Sequence, residues 1–180
     1  RAAILLPLIE KDGQLHVLFE VRSQQLKGQP GEICFPGGHI EGQDQYPCNT
    51  AIRETAEELG IQQDDITVLG PLDVLVTPFN MIIYSFVGRI NNEAMLQPQE
   101  REVAELFCVP LDYLREAKPT ISFTSLQITP IPSFPTHLLP NGKDYNWHRG
   151  RYPVYFYTYG KYIIWGITAR ILHHFLQIIM

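Results

Sequence analysis

A chain of 180 residues with 45% hydrophobic and 18% charged residues has enough apolar side chain for one domain with a proper core and falls short of a comfortable two. That balance excludes a disordered segment, and a net charge of −5 argues against a nucleic-acid-binding surface. No apolar run is long enough to span a membrane and no secretory leader shows, while Cys34, Cys48 and Cys108 are widely spaced and odd in number, pointing to a reducing, cytoplasmic compartment rather than a disulfide framework or zinc site.

Residues 2–10 and 14–21 are apolar, strand-like runs joined at Lys11-Asp12-Gly13, where Asp-Gly is a hairpin signal. Residues 22–31 are polar with two glycines and a proline, which predicts a surface loop. A short strand over 32–35 leads into Pro36-Gly37-Gly38, a tight turn whose glycines let backbone approach a bound group closely. Residues 66–76 and 81–90 predict two longer strands, 91–101 a polar loop, 102–109 another strand and 111–117 a short helix. Residues 121–129 are compatible with strand or helix. Residues 130–151 are rich in Pro, His, Asn and aromatics around Trp147, and a long irregular stretch of this kind is usually functional or mobile. A strand over 152–159 follows. Residues 163–180 predict an amphipathic helix with Ile164, Ile167, Ile171, Phe175 and Leu176 on one side. Strands and helices in this order predict a mixed sheet between helical layers, an α+β or α/β sandwich.

The stretch 38–61, GHIEGQDQYPCNTAIRETAEELGI, holds a glycine-rich turn and one helix. Pro47 suits the first helical turn and Gly60 the position just past the last. Residues three and four apart share a helix face, so Glu54, Glu57 and Glu58 form one acidic patch, while Ile52, Ala56 and Leu59 point into a core. The patch lies toward the helix C-terminus, where the macrodipole disfavours negative charge, and a solvated charge-paired face would need more cations than Arg53 alone. Three crowded carboxylates there suit a hard divalent cation, Mg²⁺ or Mn²⁺.

This stretch resembles the Nudix box, G-x5-E-x7-R-E-U-x-E-E-x-G-U with U apolar. Gly38 matches the first glycine, Arg53-Glu54 the RE pair, Glu57-Glu58 the EE pair and Gly60-Ile61 the end. Asp44 stands where a loop glutamate is usual, Thr55 where an apolar residue is usual, and the interval from Asp44 to Arg53 is one residue longer. That spacing is similar to the coenzyme A-directed branch of the family. Residues 22–38, RSQQLKGQPGEICFPGG, also resemble that branch's signature, R-S-x3-R-x3-G-x3-F-P-G-G. Arg22, Ser23, Gly31, Phe35, Pro36, Gly37 and Gly38 fall in register, and Lys27 replaces an arginine, keeping its charge without the planar fork.

The resemblance implies one Nudix hydrolase domain over 1–180, an α/β/α sandwich with a mixed sheet and the box helix packed on it. It implies hydrolysis of coenzyme A or its derivatives to 4′-phosphopantetheine and adenosine 3′,5′-bisphosphate. Other readings are a Nudix pyrophosphatase acting on ADP-ribose or a dinucleotide, and a Nudix-fold nucleotide-binding module without hydrolysis. It places metal binding on Glu54 and Glu58, with Glu57 as a third ligand or the base and the Gly38 carbonyl as a further ligand. Arg53 would orient a box glutamate, and Arg22, Ser23, Lys27, Phe35 and Gly37 would meet the substrate. Loop salt bridges are the alternative for Arg22, Ser23 and Lys27, and a helix cap for Asp44. Glu102 and Glu105 read as surface strand residues, His39 as a surface residue near the phosphates, and His173-His174 as packing or surface residues. Lys143, His148, Arg149 and Arg151 near Trp147 form a basic cluster able to receive an adenine and a 3′-phosphate, or a partner-contacting loop. Homodimers are common among soluble proteins in general, which makes a homodimer the prior expectation for the assembly.

Overall fold

The computed structural model describes residues 1–42, 44–91 and 96–180. Residues 92–95 of the expected loop and Gln43 of the box stretch lie outside the described residues. The elements run β1 (Ala2–Lys11), β2 (Gln14–Arg22), β3 (Ile33–Cys34), β4 (Gly37–His39), α1 (Pro47–Leu59), β5 (Ile66–Pro71), β6 (Leu75–Val76), β7 (Ile82–Ile90), β8 (Val103–Pro110), α2 (Leu111–Glu116), β9 (Thr120–Gln127), β10 (Arg149–Tyr159), β11 (Tyr162–Trp165) and α3 (Gly166–Ile179).

The main sheet is mixed. β1 and β2 pair antiparallel across a turn in which Asp12 and Gly13 both take positive φ, 51° and 75°, as Asp-Gly favours. On its other side β1 runs parallel to β7, and β7 is antiparallel to β5 and β6. β8 extends the sheet beyond β2, and β3 and β4 pair with β2 and β1. A strand buried on both faces reads as a continuous apolar run, and β1 does. Its residues alternate: Leu6 and Leu8 join one core, Ala3, Leu5 and Ile9 the other. The same period divides β2, with Val17 and Phe19 on one face and Leu18 on the opposite one. α1 covers that second face through Ala51, Ala56 and Leu59. α3 covers the first through Ile171, Leu172, Phe175 and Leu176. The architecture is therefore the expected α+β sandwich, helix against mixed sheet against helix.

Three expectations need correction. Gly37–His39 is not a bare turn: it is extended and pairs antiparallel with Ala2, Ala3 and Ile4, because its glycines bring backbone against backbone. Residues 163–165 belong to β11 rather than to the closing helix. Gly166, at φ 66°, bends the chain there, so Ile164 is buried from a strand. The 66–76 run is divided into β5 and β6. Of residues 121–129, left open between strand and helix, 121–127 are strand, within β9, which pairs with β10 in a second sheet of order β11-β10-β9. β10 starts at Arg149 and shortens the irregular stretch, within which Phe134 and Tyr145 pack edge-on against Trp147.

Phe19, fully buried, stacks on Phe35 at 5.0 Å and on Phe107 at 5.3 Å, which joins β2, the 35–38 segment and β8. Replacing it with alanine removes the central ring of three. Phe19→Ala should lower unfolding free energy in urea by about 3–5 kcal/mol, and a loss below about 1 kcal/mol would show that the stack contributes little.

Candidate active site

The acidic helix is placed by local chemistry at both ends. Pro47 occupies its first turn, and Gly60 ends it in the left-handed region at φ 65° and ψ 39°, where glycine is the favoured residue. Thr50, Ala51, Thr55, Ala56 and Leu59 face the sheet, so the unusual Thr55 fills a core position. Ile52, expected inside, is only partly buried.

Arg53 is the hub of the exposed half of the site. Its Nη2 lies 3.0 Å from Asp44 Oδ2, and its Nη1 lies 2.8 Å from Glu54 Oε1 and 3.5 Å from Glu57 Oε2. Asp44 also accepts from the Thr50 hydroxyl at 2.8 Å and the Glu41 N–H at 3.2 Å. The helix N-cap itself is Tyr46, so Asp44 acts as an anchor for Arg53 rather than as the cap. The Arg53 guanidinium, with those two donors, holds the Asp44 carboxyl below the usual carboxylate range.

Glu58 is different. Its side chain is buried, and Oε2 accepts the N–H of Gly37 at 2.8 Å. Burial pushes its carboxyl well up, and the charges of Glu20, Glu54 and Glu102 add to this. Burial likewise raises Glu54, with Glu57 and Glu102 contributing. Gly38 lies directly under Glu54: a Cβ added there would come within 2.6 Å of both carboxylate oxygens. Gly37, at φ 149°, is equally committed, because a Cβ would fall 2.6 Å from Ile4 Cα.

Glu20 is the residue that sequence reasoning missed, and Glu102, read as a surface strand residue, is near enough for its charge to act on Glu20, Glu54 and Glu58. Glu20 is even-numbered in β2, like Leu18, and so faces α1. It is 1% exposed, accepts from the Cys34 thiol at 3.1 Å through Oε1, and its Oε2 has no hydrogen-bond partner. Burial pushes it upward too, with Glu102 adding. The available signal was a lone charge inside an apolar strand. Glu102 precedes β8 and is drawn in because its carbonyl accepts the Ser23 N–H at 2.8 Å. Glu105, by contrast, is paired with Lys161 at 2.9 Å and with the Tyr162 hydroxyl.

The signature residues divide. Arg22, Phe35 and Gly37 line one cavity of about 470 Å³, together with Met81, Tyr152 and Trp165. Arg22 donates from Nε and Nη2 to the Gly28 carbonyl, both at 3.3 Å, which staples the loop. Ser23 is buried and its Oγ accepts the Gln25 N–H at 3.4 Å. Lys27 and His39 are exposed. His173 bonds the Tyr157 hydroxyl at 2.8 Å and stacks on Tyr155, while His174 lies 3.3 Å from Asp73, so both pack as expected. In the basic cluster, Arg151 lies over the Phe123 ring at 4.2 Å.

These residues fit a hard divalent cation. Three carboxylates crowd one helix face, of which Glu58 is buried and Glu54 partly so; a buried oxygen of Glu20 has no donor, and the Gly37-Gly38 backbone lies against Glu54 and Glu58. Among the described residues no three acidic, His or Cys side chains already converge at ligand spacing, since Arg53 holds Glu54 and the Gly37 N–H holds Glu58.

Residues 1–129 match the family model described as NUDIX domain, and the chain belongs to the Nudix family. It is 32% identical over 171 residues to the mouse (Mus musculus) protein named peroxisomal coenzyme A diphosphatase NUDT7, an alignment covering 94% of this chain and 66% of that protein. The chain thus spans just under two thirds of that relative's length. It is 34% identical over 176 residues to the Nudix hydrolase NudL of Photorhabdus laumondii, covering 98% and 83%. Among solved structures, a C. elegans Ap4A hydrolase binary complex superposes with a TM-score of 0.53 at 21% identity, covering 62% of this chain and 81% of that one; this likeness concerns the fold.

A pH dependence follows from the two buried acids. Glu20 and Glu58 are both raised above the ordinary 4.5. A raised carboxyl contributes most below its unfolded value, and that contribution is lost as pH rises through the folded value. Asp44, being lowered, loses its contribution only on acidification below its ordinary 3.8. In EDTA the melting temperature should therefore fall as pH rises from about 4.5 through neutral into mildly alkaline buffer. A melting temperature that rises over that range would rule out buried, mutually repelling carboxyls.

Proposed function

We propose that this chain is a divalent-cation-dependent pyrophosphohydrolase of coenzyme A or its derivatives, giving 4′-phosphopantetheine and adenosine 3′,5′-bisphosphate, and that residues 1–180 act together as one Nudix hydrolase unit. The observation that carries this reading is the double position of Gly37. Its N–H goes to Glu58, and the same residue lines the 470 Å³ cavity with Arg22 and Phe35. A substrate with a diphosphate at the carboxylates would extend its long arm past Gly37 into a cavity walled by Ile4, Met81, Val154, Ile167 and aromatic rings. Apolar lining with a few polar groups suits the pantetheine arm and its thiol or acyl end. The name of the mouse relative supports the same substrate class.

In this reading Glu54 and Glu58 would hold Mg²⁺ or Mn²⁺, with the Gly38 carbonyl as a further ligand and Glu57 as a third ligand or the base. The bound cation supplies charge that screens the diphosphate and acidifies a water. Arg53, tied to Asp44, keeps Glu54 and Glu57 oriented. A box carboxylate removes the proton of the attacking water. Arg22 offers its guanidinium to a phosphate, Lys27 adds a point charge from the same loop, and Ser23 anchors that loop from within. Phe35 and Gly37 form the floor. The C-terminal part belongs to the unit because Tyr157, Ile164 and Phe175 share a core with Leu6 and Phe19. The mouse relative is named for the peroxisome, so a cytoplasmic location rests on the cysteines alone.

The test is product analysis by mass spectrometry after incubation with Mg²⁺ and coenzyme A, acetyl-coenzyme A, ADP-ribose or NADH. Phosphopantetheine from coenzyme A, with ADP-ribose left largely intact, is expected; the reverse preference would replace this substrate class with ADP-ribose, and no turnover at all would leave a binding module. Glu58→Gln should reduce turnover by at least about a hundredfold while remaining folded, and full turnover in that variant would overturn the ligand assignment.

A further inference from the structure

We propose that Glu20 supplies a carboxylate oxygen to the divalent cation held by Glu54 and Glu58, with Cys34 as its positioning residue. The inference rests on the reading of α1 as the cation site and adds a ligand from the sheet beneath it. Glu20 lies among Val17, Leu18 and Phe19, all essentially inaccessible. A carboxylate in such surroundings is held toward its neutral form unless it is paired or binds a metal. Among the described residues no cation forms an ion pair with it. Its Oε1 takes only a thiol, a weak donor, and its Oε2 is buried without a partner. The charge of Arg22 acts on Glu20 from a distance, but its Nε and Nη2 donate to the Gly28 carbonyl and none of its nitrogens bonds the Glu20 carboxyl among the described residues.

Direction supports the assignment. Strand alternation turns Glu20 toward the α1 face of the sheet, the face shared by Leu18, Leu106 and Ala56. Register sets it opposite Cys34 on β3, three residues before the Gly37 N–H that binds Glu58. The negative charge of Glu20 is also the first neighbouring charge to act on Glu58. Buried carboxyls whose charges act on one another repel when both are ionised, and a divalent cation would offset that repulsion once side-chain rotation brought them to it. The thiol at 3.1 Å fixes Oε1 and leaves Oε2 free for that cation.

The test measures binding rather than turnover. The full chain, stripped with EDTA and dialysed, is titrated with Mn²⁺; free Mn²⁺ is followed by electron paramagnetic resonance, and melting temperature is recorded with and without the ion. Glu20→Gln keeps the side-chain shape and removes the charge, and its affinity for Mn²⁺ should fall on the order of tenfold or more, since even carboxylates that only support metal ligands contribute that much. Its metal-free form should melt at or above wild type, because a buried charge is gone, and its Mn²⁺-induced rise should be smaller. Glu20→Met, apolar and of similar length, should repeat the loss of affinity if the amide variant does not fold. Glu105→Gln, on the neighbouring strand, should bind as wild type. Unchanged Mn²⁺ affinity in folded Glu20→Gln or Glu20→Met overturns this inference alone, provided Glu58→Gln has lost binding. If wild type and Glu58→Gln bind Mn²⁺ equally, the α1 site itself fails and the role of Glu20 falls with it.

Discussion

The bond from the Gly37 N–H to the buried carboxylate of Glu58 ties the molecule together. One partner comes from α1, the other from a strand that pairs with β1 at the centre of the sheet. It fixes the height of the helix over the sheet and aims the Arg22-to-Gly38 segment at the acids. The glycines are part of the same constraint. At Gly37 a side chain would collide with the β1 backbone, and at Gly38 with the Glu54 carboxylate. A carboxyl kept out of water with one donor is held toward its neutral form, so the site is organised around a group whose charge a nearby cation would restore.

Arg53 and Glu58 divide the work of the helix. Arg53 gathers Asp44, Glu54 and Glu57 into one network, so these acids already have a counter-charge. Glu58 and Glu20 face inward and have none. Adjacent carboxylates thus have opposed surroundings, with one group lowered by a guanidinium and the others raised by burial. Divergent environments of this sort are characteristic of functional sites.

Much of this was readable from residue order. The Asp12-Gly13 turn, Pro47 and Gly60 act through local backbone chemistry, and each stands where the sequence places it. The acidic face of α1 is legible for the same reason, as helix spacing alone puts Glu54, Glu57 and Glu58 together. What depended on distant pairing was not legible. Glu20 acquires its surroundings only when β2 pairs with β3 and α1 lies on that face. Glu102 enters because Ser23 reaches its carbonyl. The 163–165 run has too few residues for its period to separate strand from helix, and only the left-handed Gly166 decides it. Asp44 is open from sequence to a cap or a site role; its ion pair with Arg53, nine residues on, depends on how the loop packs against α1.

The cavity beside Gly37 is shared property. Arg22 and Phe35 come from the early part of the chain, whereas Thr124, Tyr152, Trp165 and Ile167 come from β9, β10, β11 and α3. The family match ends at residue 129, so Arg22, Phe35 and Thr124 of the lining fall inside it and Tyr152, Trp165 and Ile167 beyond it. A substitution at one of these last three would reshape the cavity while leaving the acids of α1 in place.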